Sequence, residues 1–162
     1  MTSAFFILNG FLILSLVDAQ LICRVCGQQI ATTADIIDTP TEYATKSYTQ
    51  NVIGKEALIQ TLVNPSNIKF DVVSAKKANV AIQGQSYSSD SWFSGMRWTS
   101  AVCKTCHAQL GWHFNAPAGS LSQNFYGLIL NQLISKDYAD SLIMAPGDGK
   151  KDSTPNPKKT FF

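Results

Sequence analysis

Two short cysteine pairs constrain this chain more than any other feature. Cys23-Arg24-Val25-Cys26 and Cys103-Lys104-Thr105-Cys106 are both C-x2-C knuckles, and together they hold all four cysteines of the 162-residue sequence. Such a knuckle places two thiolates on one tetrahedral metal, and two knuckles complete an all-thiolate site with no position left for water. The stretch from Cys26 to Cys103 is far longer than the roughly 12–15 residues that separate ligand pairs in a compact zinc finger. A metal here pins together two distant parts of a larger fold. Spacing leaves other uses open. Four cysteines in an oxidising compartment can form two disulfides in three connectivities, although a bridge within one knuckle closes a very small, strained loop. A C-x2-C pair can also carry redox chemistry. Cys103 to His107 reads C-K-T-C-H, the attachment pattern of a c-type haem. That use strands the first knuckle and offers only Met96 or Met144 as a second axial ligand. His107 and His113 are not needed as ligands where four thiolates suffice.

The length fits one domain with a real core. Thirteen Lys+Arg against eleven Asp+Glu give a formal charge of +2, too even for a basic nucleic-acid binder. The N-terminus departs from this balance. Thr2 to Leu16 carries no charge, and Phe5 to Val17 is an apolar run broken only by Asn9, Gly10 and Ser15. That is the length of a signal-peptide core and short of the roughly 20 apolar residues of a membrane span. Val17-Asp18-Ala19 supplies small residues for cleavage before Gln20, although no Lys or Arg precedes the run. A retained anchor or a buried strand is the competing use. Residues 1–19 are read as a secretory signal, which predicts a secreted protein with no membrane attachment after cleavage.

Between the knuckles the sequence reads as strands. Ala57 to Val63 is apolar and stops at Asn64-Pro65, a turn signal. Ile68 to Val73 alternates apolar and polar, Asn79 to Ile82 is a short candidate, and Gly84 to Ser91 reads as a loop. Arg97 to Val102 and Ala108 to Asn115 flank the second knuckle as two more strands. A helix is predicted after Ser120 or Ser122 as N-cap, with Phe125, Leu128, Ile129, Gln132 and Leu133 at spacings of three and four. Thr39 to Lys55 has no clear period and receives no assignment. From Gly147 the composition turns to Gly, Pro, Lys and Ser, and residues 139–162 are expected to form a disordered tail. Short strands plus one late helix predict an all-β, mainly antiparallel domain over residues 20–138.

The aromatic residues concentrate in one place. All three tryptophans lie between Trp92 and Trp112, and Phe114 follows two residues later. On a strand, Trp112 and Phe114 project from the same face. Gly95, midway between Trp92 and Trp98, can centre a turn that brings those indoles opposite one another. An aromatic core is the ordinary use of such residues. Three indoles so close together beside Gly and Ser also make the walls of a small box, with Phe114 near its floor.

The run Ser91-Trp92-Phe93-Ser94-Gly95-Met96-Arg97-Trp98-Thr99, then Cys103-Lys104-Thr105-Cys106, then Gly111-Trp112-His113-Phe114 resembles the CULT domain family, the thalidomide-binding domain of cereblon. The likeness extends to Cys23–Ile37, to Asn64-Pro65 and to Leu121–Leu130. It implies a β-tent: two antiparallel sheets meeting at a large angle, pinned by one structural Zn2+ on Cys23, Cys26, Cys103 and Cys106. It also implies a pocket for a cyclic imide or a uracil-like ring, walled by Trp92, Trp98 and Trp112 with Phe114 at its base. Main-chain groups around Asp90, Ser91 and Trp92 would hold the imide edge, and Asn64 would stand at the rim. A glutarimide ring suits such a site, being apolar on its faces with a donor and acceptors at one edge.

The sequence departs from that family in two respects. Asp90 stands where cereblon has His just before the Ser-Trp pair, and nothing resembles cereblon's Lon-like domain or its ubiquitin-ligase adaptor contacts. The resemblance therefore implies a stand-alone, non-enzymatic binding module whose partner is a small ring or a modified peptide terminus. Two other classes compete. An aromatic cage for a quaternary ammonium or methylated lysine would draw on the same indoles and on Asp90. An enzyme of the B-type methionine sulfoxide reductase kind shares a related zinc-pinned scaffold, but it needs a nucleophilic cysteine beyond four ligands, and this chain has no fifth.

Overall fold

The structure, a computed structural model, describes residues 19–143. The signal at residues 1–19 falls almost wholly, and the tail largely, outside the described residues. Eleven strands and one helix follow in order: β1 (Gln20–Cys23), β2 (Gln29–Thr32), β3 (Ile36–Ile37), β4 (Lys46–Val52), β5 (Lys55–Val63), β6 (Lys69–Ala75), β7 (Val80–Tyr87), β8 (Arg97–Cys103), β9 (Gln109–Asn115), β10 (Phe125–Ile129), β11 (Leu133–Ser135) and α1 (Lys136–Ile143). They form two antiparallel sheets, a small one ordered β11-β1-β2 and a large one ordered β4-β5-β6-β10-β9-β8-β7. β3 pairs with Ser74 and Ala75, the part of β6 that lies beyond its pairing with β5. No helix among the described residues is long and apolar enough to cross a membrane.

Strand alternation divides the core in two. On one face of the large sheet, Ala57, Ile59, Val73, Ala101, Cys103 and Leu128 pack against Leu21, Ile30 and Leu133 of the small sheet. On the other face, Leu62, Val72, Trp112, Phe114, Phe125 and Ile129 form a second cluster, with Phe93 and Met96 packed into it. Phe93 and Met96 belong to a turn closed by the Met96 N–H on the Phe93 carbonyl at 3.0 Å. Burial on both faces explains one failed expectation. Phe125 to Ile129 is a central strand between β6 and β9, not a helix. Its residues are apolar on both alternations, so helical spacing appears by coincidence. Gly127 fits the strand, because a Cβ there would stand 3.0 Å from Cε2 of Phe114. Ser120 and Ser122 lie in the β9–β10 connection, and the short helix follows later, at Lys136–Ile143.

The hairpin of β4 and β5 resolves most of the segment without a period. β4 is an edge strand whose side chains are mostly solvent-facing, so no hydrophobic alternation marks it. Asn51 closes the hairpin turn by accepting the Gly54 N–H at 3.0 Å. The stretch read as a loop from Gly84 likewise continues β7 to Tyr87, with an irregularity in register between Gln83 and Tyr87.

Candidate functional site: a thiol cluster and a tryptophan-lined cleft

The two knuckles are the turns β1–β2 and β8–β9, one from each sheet, and they meet face to face. Cys23 Sγ lies 3.7 Å from Cys106 Sγ and Cys26 Sγ 3.5 Å from Cys103 Sγ. All four sulfurs fall within 4.8 Å of one another. A Zn–S bond of about 2.3 Å implies tetrahedral S···S edges of about 3.8 Å, which these distances match. A disulfide needs about 2.05 Å, and none is formed. The donor set therefore fits a closed structural Zn2+ site.

The knuckles share one backbone design. The N–H of Cys23 reaches the Gln28 carbonyl at 2.8 Å, and that of Cys103 reaches the Ala108 carbonyl at 2.9 Å. The N–H of Gly27 returns to Cys23 at 2.9 Å, and that of His107 to Cys103 at 3.0 Å. Gly27 and His107 hold equivalent left-handed positions, with φ of 76° and 60°. The histidine that mimics a haem motif is thus the counterpart of a turn glycine. Gln28 ties the halves together: its amide nitrogen donates to the Asn79 carbonyl at 3.1 Å, and its oxygen accepts from the Thr105 hydroxyl.

The thiols do not ionise alike. Desolvation raises Cys103, but the amides of Cys106 and Thr105 and the thiols of Cys26 and Cys106 outweigh it and bring it down to about 7. The Gln28 amide lowers Cys26, yet desolvation and the other three thiols raise it to about 12. Burial is the main cause holding Cys23 up. Four thiolates this close repel one another, and a divalent cation relieves that repulsion.

The opposite face of the large sheet opens into a cleft of about 510 Å³. Trp92, Trp98, Trp112 and Phe114 line it, with Asn64 and Asp90. Six of the seven residues expected at a binding site thus share one cleft. Ser91 lines a neighbouring depression instead, its hydroxyl donating to the Phe93 carbonyl at 3.1 Å. Trp92 stands edge-on to Trp112, with centroids 4.7 Å apart and planes at 84°. Two indoles are fixed by main-chain acceptors: Trp92 Nε1 donates to Val63 and Trp98 Nε1 to Ser89, both at 2.8 Å. The Trp92 carbonyl accepts the Thr41 hydroxyl. Thr41 is held in turn by buried Gln60, whose Oε1 accepts the Thr41 N–H at 2.8 Å. Phe114 is 1% exposed and stacks on Phe125 at 5.1 Å, so it serves as floor and core together.

Sequence reading missed Phe70. Its ring meets Trp112 at 5.1 Å and Trp92 at 6.1 Å, completing the aromatic wall. The signal was present: alternation along β6 puts Phe70 on the same face as Val72. Gln60 and Thr41 gave no comparable signal, because their role depends on a contact between distant segments.

Comparison with known proteins agrees with this geometry. Residues 19–137 match the family model described as Yippee zinc-binding/DNA-binding/Mis18, centromere assembly. Protein cereblon of Xenopus tropicalis is 37% identical over 73 residues, covering 44% of this chain and 16% of the relative. Protein cereblon of Danio rerio is 36% identical over 74 residues, covering 44% and 17%. That of Drosophila simulans is 26% identical over 107 residues, covering 65% and 16%. The matched part is thus less than a fifth of the curated relatives' length. The model match takes in both cysteine knuckles and the whole cleft, and by it this chain belongs to the Yippee-Mis18 family.

Proposed function

We propose that this chain is a non-enzymatic, secreted binding module whose tryptophan cleft takes a flat, uncharged ring bearing a C(=O)–NH–C(=O) edge. Glutarimide, thalidomide-like imides and uracil are the chemistries that suit it, free or at a modified peptide terminus. One observation carries this reading: three indoles converge on a single cleft while the nearby main chain keeps polar groups available. The Trp92 carbonyl is engaged by Thr41, but the N–H of Trp92 and the main chain of Asp90 have no hydrogen-bond partner among the described residues. Aromatic faces bury the ring, and a few fixed polar groups orient it. The zinc acts as a scaffold on the far side of the sheet, and its four thiolates leave no place for a nucleophile. Export rests on the apolar run before Gln20. The small share of cereblon that is matched gives no ground for assigning ubiquitin-ligase contacts.

Saturable quenching of tryptophan fluorescence by glutarimide is the expected result, with uridine competing. Trp98→Ala removes a half-buried wall that takes no part in the zinc turns, so it is expected to weaken binding at least about tenfold, as a central aromatic contact does. Its zinc content should stay at the wild-type level. Unchanged affinity in Trp98→Ala would place the ligand elsewhere.

A further inference from the structure

Asp90 is the one ionisable side chain among the residues lining the cleft. Its carboxylate has neither a salt bridge nor a hydrogen bond among the described residues. Arg97, a nearby cation in sequence, is committed to Ser86, its Nη2 donating to the carbonyl at 2.6 Å. The faces of the indoles carry the negative lobe of the ring quadrupole. The Asp90 carboxylate and the indole faces therefore both favour positive charge on a ligand.

We propose that Asp90 is a specificity-determining residue, and that the cleft selects imide-type rings carrying a cationic substituent over neutral or anionic ones. This rests on the reading of the cleft given above and adds the charge of its occupant. A purely backbone role for Asp90 is the alternative, since φ is 56° there and Asp tolerates the left-handed region. Asn tolerates that region equally well. Asp90→Asn therefore removes the charge while keeping the backbone and the side-chain shape.

The test uses permanently charged and neutral probes of equal size. One is a glutarimide bearing a 2-(trimethylammonio)ethyl group on the carbon beside a carbonyl; the other replaces that nitrogen with carbon. Titration of the full mature protein in dilute buffer should give about three- to tenfold tighter binding of the cation, a modest ratio because Asp90 is solvent-exposed. The ratio should shrink as salt is added. Asp90→Asn should bring the ratio of the two affinities close to one. Equal affinities in the wild type, or a ratio that survives in Asp90→Asn, overturns the proposal. Loss of both substituted probes while glutarimide still binds overturns it too, because the cleft then has no room for the charge. Tetramethylammonium binding as tightly as the cationic imide overturns it as well, the imide edge being dispensable. Failure of glutarimide itself to bind overturns the underlying reading first, and this one with it.

Discussion

Stripping zinc from the purified protein is expected to abolish its cooperative folding. The small sheet has only three strands and packs one face on the large sheet, so it has little independent stability. The thiol cluster ties the β1–β2 turn to the β8–β9 turn at the junction of the two sheets, and Cys23 and Cys103 are part of the core between them. A structural zinc contributes about 10–16 kcal/mol of apparent binding energy in small metal-dependent domains. A whole domain is stable by only about 5–15 kcal/mol. Even a fraction of the metal term decides whether the fold persists. Loaded protein should hold one zinc per chain and melt in one transition; exhaustive chelation should remove that transition, and Cys103→Ser should mimic chelation. Loading should also release protons into weak buffer at neutral pH, because the Cys26 thiol sits near 12 until metal displaces its proton. A native-like melt after complete metal removal, or two disulfides in place of the metal, contradicts this.

Gly111→Ala is expected to be as damaging as losing the metal. The backbone there has φ of 152°, next to the bulge where β8 and β9 shift register between Ala101 and Val102. A Cβ on Gly111 would lie 1.9 Å from the carbonyl oxygen of Gly127, far inside contact distance and against backbone that has no rotamer to give. Relief requires β9 and β10 to part. Those strands carry Trp112, Phe114 and Phe125, so both the cleft floor and the zinc hairpin are affected. The cost should exceed about 4 kcal/mol, the range reserved for a short list of severe mechanisms. Urea unfolding followed by circular dichroism measures it. A midpoint like that of the wild type contradicts the observed packing of β9 on β10.

The grouping of the cysteines and of the tryptophans was easier to read in the sequence than the topology. The knuckles were legible because thiolate spacing is set by the geometry of one metal, whatever fold surrounds it. The cleft was legible because Trp92, Trp98 and Trp112 fall near one another in sequence, around a turn and on β8 and β9. The strand of Phe125–Ile129 was misread, since burial on both faces erases the alternation that distinguishes strand from helix. β4 escaped because an edge strand facing solvent has no apolar period to show. β1 and β2 are four residues each, too short for a pattern, and their place depends on the opposing knuckle. Gln60 and Thr41 enter the site only through contacts between distant segments, which no local signal announces.

The central claim is that the cleft recognises an imide edge rather than apolar surface in general. Glutarimide and N-methylglutarimide, titrated side by side against the tryptophan fluorescence of the zinc-loaded protein, test it most directly. The methyl group replaces the one donor and leaves its acceptor unpaired, at a cost of roughly 1–3 kcal/mol, or about 5- to 150-fold in affinity. The account predicts saturable binding of the parent imide and a loss of that size for the methylated one. Equal affinities would mean that only the aromatic walls matter, and would contradict it.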